Sequence, residues 1–214
     1  VGGLPKNPSP PYNYKAPFSP IDVIEEYTRP ARMMINSKVE IKPALSDIKE
    51  IKIDDVGMLE AFNTDGLRSL LITMSHIPNM KEKTLRYPGH ASLMQSMIDK
   101  NLFDENNFDS TVEKLFTEWK LENHEPEFTV LNINIYGDEQ NIHYQLYDEM
   151  DMLSKSSSMA RTTGYTATAT VNMLLKNLWS KKGVSPPEII GSDDLCINFL
   201  FEYLLSRNVK IIQS

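Results

Sequence analysis

The sequence predicts an α+β fold in which a mixed, mostly antiparallel sheet is covered by helices. Strand-like and helix-like patterns are interleaved along the chain, and several strands come in pairs joined by turn dipeptides such as Asn36-Ser37 and Gly137-Asp138. Of the 214 residues, 41% are hydrophobic, which is enough for an ordinary core. Interleaved elements with antiparallel pairing are typical of an α+β protein.

The first third of the chain predicts a connector, a helix and several strands. Residues 1–20 are rich in proline but contain buried-type aromatic residues, which indicates an ordered connector over a surface. Ser19 is placed to cap a short helix that ends at Arg29, before a proline. Alternating patterns over residues 31–64 predict a hairpin followed by two half-buried strands.

The middle of the chain alternates between helix and strand patterns. Asp109 or Ser110 is placed to cap the last helix of this part, with Glu113 positioned for a capping box. The predicted elements are, in order, a helix at 66–74, a strand at 81–87 and helices at 90–103 and 109–120.

The last third contains the strongest strand pattern, a long hairpin over residues 127–150. A long helix is predicted at 156–179, with small residues in its first half that would allow another element to approach closely. A final amphipathic helix begins after a cap at Ser192, and a short strand at 209–212 ends the pattern.

Composition excludes several functional classes. The formal net charge of −7 and the absence of a basic stripe argue against nucleic-acid binding. No run approaches the roughly 20 apolar residues of a membrane span. The single cysteine, Cys196, lies in an apolar stripe, fits a reducing cytoplasm and is predicted to be a core residue. His76, His90, His124 and His143 have no metal-ligand spacing.

Polar clusters recur directly after strands and at one helix start. They combine arginine, lysine and hydroxyl groups, which together suit a carboxylate, because a guanidinium matches a carboxylate through two parallel hydrogen bonds. The residues therefore predict a site for an anionic, amino-acid-like ligand. Three members have structural alternatives: Arg68 could pair with Asp65 on a helix surface, Arg86 could form a local salt bridge, and Arg161 could be a solvated first-turn residue. For Arg86, its place at a strand end before Pro-Gly favours a functional role. The clusters are 14–15, 63–68, 84–87 and 161–165.

Six motifs in order resemble the saccharopine dehydrogenase-like family, especially its lysine 6-dehydrogenase-like branch. They are "VGGLP", "YKAPFSPIDVIEEYTRPAR", "PALS", "LEAFNTDGLRSLL", "EKTLRYPGH" and "SMARTTGY", and the resemblance runs from Val1 to about Arg207. It implies that residues 1–214 form one substrate-binding and dimerisation domain, similar in fold to the C-terminal domain of glyceraldehyde-3-phosphate dehydrogenase-like enzymes. Residues 1–20 would be its connector, and residues 155–214 would pack against a Rossmann domain.

The resemblance also implies a reaction. The full-length protein would be an NAD(P)-dependent dehydrogenase that oxidises an amine of lysine or a related amino acid to an imine. Neither phosphate-binding glycine motif occurs in the chain, so NAD or NADP would be held mainly by a preceding domain, and this chain alone would be inactive. Gly2, Gly3 and Leu4 would lie near the nicotinamide.

Site roles follow from the same resemblance. Arg86 would hold a substrate carboxylate and Asp65 the ammonium end, and the catalytic acid and base stay unassigned. Saccharopine reductases often have Asn-Arg-Asp-Ser where this chain has "NTDG"; Thr64 in place of the arginine favours lysine over saccharopine. A homodimer is expected. The predicted substrate-binding residues are Tyr14, Lys15, Asn63, Asp65, Thr84, Arg86, His90, Arg161 and Tyr165.

Two alternatives remain open on the sequence. The chain could be a stand-alone dimerisation or ligand-sensing module without catalysis, or part of a carboxynorspermidine-type reductase. The start of the chain at a strand-like "VGGLP", together with the missing phosphate loop, favours the enzyme and predicts a nucleotide-binding segment before Val1.

Overall fold

The computed structural model describes residues 1–122 and 125–214, so that His124 lies outside the described residues. The chain forms two compact units. We call Gly2–Glu125 the N-terminal unit, and Pro126–Ser214 with Val1 the C-terminal unit. The α+β class is confirmed, because helices are mixed with antiparallel strands in both units.

The N-terminal unit is built around a hairpin and a three-stranded antiparallel sheet, in the order β4-β5-β6. The predicted turn at Asn36-Ser37 joins the hairpin strands β2 and β3. The elements are β1 (Gly2–Pro5), α1 (Pro20–Thr28), β2 (Ala31–Ile35), β3 (Lys38–Lys42), β4 (Lys49–Ile53), β5 (Gly57–Asn63), α2 (Leu70–Thr73), β6 (Lys83–Arg86), α3 (His90–Asp99) and α4 (Phe108–Glu118).

The connector is more deeply buried than its composition predicts. Tyr12 and Tyr14 are 7% and 2% exposed, and they pack edge-on against the ring of Trp119 at the end of α4. The connector therefore contributes aromatic side chains to the core of this unit.

A buried carboxylate that the sequence analysis missed binds the backbone at the N-terminus of α3. Gly89 takes a left-handed φ of 93°, a conformation that glycine adopts without steric cost. The Glu60 carboxylate on β5 accepts the backbone N–H groups of Gly89 and Ala91. A carboxylate at a helix N-terminus satisfies unpaired N–H groups and complements the helix dipole.

The C-terminal unit contains the predicted long hairpin, followed by helices. Strands β7, β8 and β9 pair antiparallel, and α5 packs against α7. A core cluster of Leu146, Leu204 and Val209 is extended by neighbouring partly buried residues. The elements are β7 (Glu127–Tyr136), β8 (Asn141–Glu149), α5 (Ser158–Leu175), α6 (Pro187–Ile190), α7 (Asp194–Leu205) and β9 (Ile211–Gln213).

The predicted helix caps at α4 and α7 are wrong. Helix α4 begins at Phe108 after Asn107, whose side chain makes no cap, and the Ser110 hydroxyl donates to the Asn107 carbonyl. At α7 the cap is Asp193, because its carboxylate accepts the N–H groups of the following turn. The hydroxyl of Ser192 instead donates to the carbonyl of Ile189.

Three helices are shorter than predicted, and each boundary lies beside a residue with positive φ. Arg68 (φ 49°) limits α2 to one turn, Asn101 (φ 57°) follows the end of α3, and Asn177 (φ 56°) follows the end of α5. A left-handed residue cannot continue a right-handed helix. None of the described helices is long and apolar enough to cross a membrane.

Candidate functional site

Arg86 is the centre of the candidate site in the N-terminal unit. It ends β6 and is 3% exposed. Its Nε donates to the Tyr27 hydroxyl at 2.9 Å, Nη1 to the Leu85 carbonyl at 2.9 Å and Nη2 to the Glu26 carboxylate at 3.1 Å. A guanidinium has five N–H groups, so two remain without a protein acceptor in the described part of the chain. Its guanidinium carbon also lies over the ring of Tyr14, 4.5 Å from the ring centre.

His90 extends this arrangement by a directed series of hydrogen bonds. Its Nδ1 lies 2.8 Å from the Tyr12 carbonyl, which can only accept, so Nδ1 carries the hydrogen. Its Nε2 therefore accepts from the Tyr27 hydroxyl at 2.9 Å, and that hydroxyl oxygen accepts from Arg86. Burial, and secondarily the Arg86 charge, lower the pKa of His90 to about 3. The ring is neutral at physiological pH and fixes the Tyr27 hydroxyl toward itself.

Two aromatic donors, one on Tyr14 beside Arg86 and one on Trp119 beside Tyr14 and His90, have no hydrogen-bond partner among the described residues. The Tyr14 hydroxyl and the Trp119 indole Nε1 are both buried and unpaired among the residues that the structure describes. Their rings lie 5.3 Å apart in an edge-on arrangement. Burial raises the pKa of Tyr14 to about 12, so its hydroxyl keeps its proton and remains a donor. The two unused N–H groups of Arg86 and the unpaired Tyr14 hydroxyl are donors without an acceptor, which suits an anionic group.

Thr84 lies on the same face of the sheet as Arg86. The register pairs Glu60 with Arg86 and Phe62 with Thr84. Alternate residues of an extended segment share a face, so Thr84 and Arg86 on β6 and Glu82, one residue before β6, form one line of side chains that we call the polar row. The hydroxyls of Thr84 and Thr64 lie 2.8 Å apart, and Thr64 donates to the Glu82 carboxylate at 2.6 Å.

Asp65 already has a cationic partner. Its carboxylate accepts two parallel hydrogen bonds from the Arg32 guanidinium, at 2.9 and 2.8 Å, and a third from the Arg32 backbone N–H. These bonds lower the pKa of the Asp65 carboxyl. The sequence analysis named Arg68 as the possible structural partner of Asp65, whereas Arg32 forms the ion pair with Asp65. The ammonium role of Asp65 remains a prediction, with Arg32 as a competitor for the carboxylate.

Asn63 and Lys15 lie away from the polar row. Asn63 donates from Nδ2 to the Ser46 hydroxyl at 3.0 Å, which leaves its buried Oδ1 without a partner among the described residues. Because Asn63 and Thr64 are consecutive, their side chains point to opposite faces of the strand. Lys15 donates to the Lys120 carbonyl at 3.0 Å in an exposed position.

The residues expected near the nicotinamide lie beside β6. Gly2, Gly3 and Leu4 are the first three residues of the buried strand β1. A Cβ on Gly2 would lie 2.8 Å from the Leu85 carbonyl oxygen, closer than real contacts allow, so glycine is required there. The Tyr87 hydroxyl donates to the Pro5 carbonyl at 2.9 Å and holds the two segments together. The N-terminal segment thus runs next to the strand that carries Arg86.

Arg161 and Tyr165 lie in the C-terminal unit. The Arg161 guanidinium donates through Nε and Nη2 to both oxygens of the Asp148 carboxylate, at 3.0 and 3.1 Å. Nη2 also donates to the Arg207 carbonyl at 3.1 Å. The guanidinium carbon of Arg161 lies 5.7 Å from the centre of the Tyr165 ring. Arg161 is therefore held by an internal ion pair, and the solvated alternative is wrong, because the residue is buried.

The structure gathers Tyr14, Thr84, Arg86 and His90 into one neighbourhood of the N-terminal unit. Sequence reasoning missed several residues that complete it. Tyr27 follows Val23 and Ile24 in the apolar stripe of α1 and so resembles a plain core residue. The missed contributors are Glu26, Tyr27, Glu60, Glu82 and Trp119.

Other chemical groups stay outside the site. Cys196 is fully buried, and burial raises the pKa of its thiol, which confirms it as a core residue. Within residues 1–122 and 125–214, no group of three histidine, cysteine, aspartate or glutamate side chains could hold a metal ion.

Comparison with known proteins gives the family. Apo histidine-tagged saccharopine dehydrogenase (L-Glu forming) from Saccharomyces cerevisiae has a similar fold, with a TM-score of 0.74 at 14% sequence identity. The match covers 100% of this chain but 65% of the yeast chain, so this chain spans less than two thirds of that protein. The saccharopine dehydrogenase C-terminal domain matches residues 1–204. The chain therefore belongs to the saccharopine dehydrogenase C-terminal domain family.

Proposed function

We propose that this chain is the substrate-binding and dimerisation part of an NAD(P)-dependent oxidoreductase that acts on the C–N bond of lysine or a related amino acid. The family and the fold support an enzyme of this kind. In the N-terminal unit the proposal depends on Arg86, whose surroundings suit the carboxylate of an amino acid.

The incomplete neutralisation of Arg86 is the observation that carries the proposal. Removing a guanidinium from water costs several kcal/mol unless opposite charge and hydrogen bonds replace its hydration. Its carboxylate partner, Glu26, has a side chain that is 34% exposed, whereas the Arg86 side chain is 3% exposed. Two of its N–H groups and the adjacent Tyr14 hydroxyl remain as donors. A carboxylate would complete both the charge balance and the hydrogen bonding.

The surroundings of Thr64 support a substrate with fewer carboxylates than saccharopine. Thr64 is 4% exposed and its hydroxyl is engaged by Thr84 and Glu82. It therefore adds no positive charge where saccharopine reductases often place an arginine. The nearby Arg32 guanidinium is already paired with Asp65, so that Arg86 is left to bind one carboxylate, which favours lysine or a similar amino acid.

The sequence contains neither glycine-rich phosphate motif, and with the family this supports a dinucleotide held outside this chain. NAD or NADP would be bound mainly by a preceding domain and would supply the hydride chemistry. The residues of this chain would hold the amino acid by its charged groups and keep its amine at a fixed position. Gly2 permits β1 to lie directly against Leu85, next to Arg86.

The outer half of the β7–β8 hairpin supports the homodimer. Ile133 and Ile135 are 42% and 46% exposed and share one face of the hairpin with Tyr144 and Ile142, which lie opposite them. An apolar, uncharged sheet face suits a two-fold contact in which the same surface is used by both copies. Light scattering should give a dimer for the wild-type protein and a monomer for Ile135→Asp; a wild-type monomer would contradict this part.

A substrate panel on the full-length protein tests the proposed function. NADH and NADPH production should be followed with L-lysine, saccharopine and carboxynorspermidine, and the isolated chain should be titrated with NADH by fluorescence. We expect turnover of lysine or a close relative by the full-length protein and no NADH binding by the isolated chain. No turnover with any member would favour the stand-alone module, and turnover of carboxynorspermidine alone would favour that reductase.

A further inference from the structure

The Glu82 carboxylate lies at the opposite end of the polar row from Arg86. Glu82 and Arg86 are four residues apart in the strand direction, so their Cα atoms are separated by about 13 Å. Thr84 lies between them and, with Thr64, forms a hydroxyl bridge to the Glu82 carboxylate. The polar row therefore has a carboxylate at one end, just before β6, and a guanidinium at the other end, at the last residue of β6.

The Glu82 carboxylate is held in place by short-range contacts. It accepts the Thr64 hydroxyl at 2.6 Å, and the Gly66 backbone N–H also donates to it. A Cβ on Gly66 would lie 2.5 Å from Glu82 Cδ and 2.6 Å from Oε2, so the carboxylate lies directly against the glycine. Any side chain at position 66 would displace it. The glycine of the "NTDG" motif thus has a role in positioning Glu82.

Glu82 has no cationic side chain to pair with, in contrast to Asp65. None of the lysine and arginine side chains in the described residues forms an ion pair with it. Burial raises the pKa of Glu82, and the hydrogen bonds from Thr64 and Gly66, together with the positive charge of the amino group of Val1, oppose this shift only in part. The negative charge of Glu26 adds to the increase. A cation placed against Glu82 would relieve this cost.

We propose that Glu82 recognises the side-chain ammonium of a diamino acid whose carboxylate is held by Arg86. This inference rests on the proposed function and extends it to substrate class. An α-ammonium is bonded to the carbon next to the carboxylate, so it would stay beside Arg86. An ammonium at the end of a side chain lies several bonds away and suits the spacing of the polar row. Glu82 replaces Asp65 in this role, because Asp65 is occupied by Arg32.

Ligand binding with and without the side-chain ammonium tests the inference. Dissociation constants for L-lysine and L-norleucine, which lacks that ammonium, should be measured by calorimetry on the full-length protein. We expect wild type to prefer lysine by about 10-fold to 100-fold, the range of a hydrogen bond to a charged group. Glu82→Gln should reduce that preference to about threefold or less by weakening lysine binding, with norleucine binding unchanged.

Two further variants separate recognition from structural support. Glu50→Gln removes an exposed carboxylate from the neighbouring strand β4 and should keep the wild-type preference. Gly66→Ala keeps the charge of Glu82 but displaces its carboxylate, so it should reduce the preference as Glu82→Gln does. Circular dichroism should confirm that each variant is folded.

The outcomes distinguish this inference from the proposed function. Equal loss of lysine and norleucine binding in Glu82→Gln would overturn the ammonium role and leave the amino-acid site intact. Equal wild-type affinity for the two ligands would overturn it in the same way. Failure of the wild-type protein to bind either amino acid would overturn both.

Discussion

Arg86 in the N-terminal unit and Arg161 in the C-terminal unit are both nearly buried, at 3% and 8% exposure. They differ in the carboxylate that faces them. Arg161 forms a two-point ion pair with Asp148, whose side chain is only 4% exposed. Arg86 makes one contact to a carboxylate whose side chain is 34% exposed, and otherwise donates to neutral oxygens. A buried ion pair closed on itself is a structural feature, whereas a buried cation with unused donors is suited to bind an anion.

The largest effect should come from breaking the closed pair. Arg161→Leu leaves Asp148 buried without a counter-ion and should lower the free energy of unfolding by about 3–5 kcal/mol. Urea denaturation measures this loss. The double variant Arg161→Leu/Asp148→Leu should recover most of it, since no charge is then left in the interior. If the double variant is as unstable as the single one, the loss does not come from the unpaired charge of Asp148, and the prediction is wrong.

Replacing Arg86 should affect substrate use more than folding. Arg86→Gln in the full-length protein should reduce kcat/KM for the amino-acid substrate by about 30-fold to 1,000-fold, the range for truncating a buried hydrogen-bonded charge. Arg86→Lys should recover little, because an ammonium cannot reproduce the planar two-point contact. Steady-state kinetics measures the ratio. Loss of stability without a change in kcat/KM for the folded fraction would make Arg86 structural, like Arg161.

Acid should weaken the N-terminal unit through His90. Its pKa is lowered to about 3 in the folded protein, below the ordinary value of about 6.5 in an unfolded chain. Its contribution to stability is therefore present above pH 6.5 and is lost as the pH falls toward 3. Between pH 7.5 and 5.5 the loss should be about 1.4 kcal/mol. Urea denaturation at both pH values should show this loss, and His90→Gln should remove most of it.

A smaller effect concerns the cap of α7. Asp193→Ala should reduce stability by about 1 kcal/mol, because two N–H groups lose their acceptor. Ser192→Ala, the matched control one residue away, should change it by less than about 0.5 kcal/mol. Thermal unfolding of the two variants compares them. Equal losses of stability in the two variants would show that Ser192 contributes to the cap as much as Asp193 does, as the sequence pattern predicts.

Element type was predictable wherever the local pattern was strong. The Asn36-Ser37 hairpin, the helix after Ser19 and the long hairpin at 127–150 depend on turn residues and alternation close in sequence. Helix boundaries were harder, because Arg68, Asn101 and Asn177 adopt left-handed conformations that their sequence context does not specify.

The polar partners at the site were predictable only in part. Arg86 was identifiable because an arginine before Pro-Gly at a strand end is unusual for a purely structural residue. Its environment depends on Tyr27, about 60 residues earlier, and on the connector residue Tyr14. Likewise, nothing local distinguishes Arg32 from Arg68 as the partner of Asp65. Such pairings depend on tertiary contacts that no local pattern specifies.

The central claim is that Arg86 binds the carboxylate of the substrate, and a ligand–protein cycle tests it most directly. Binding of L-lysine and of cadaverine, which lacks the carboxylate, should be compared in full-length wild type and in Arg86→Gln. We expect the carboxylate to improve binding by about 30-fold or more in wild type and by about threefold or less in the variant. The same carboxylate preference in both proteins would contradict the claim.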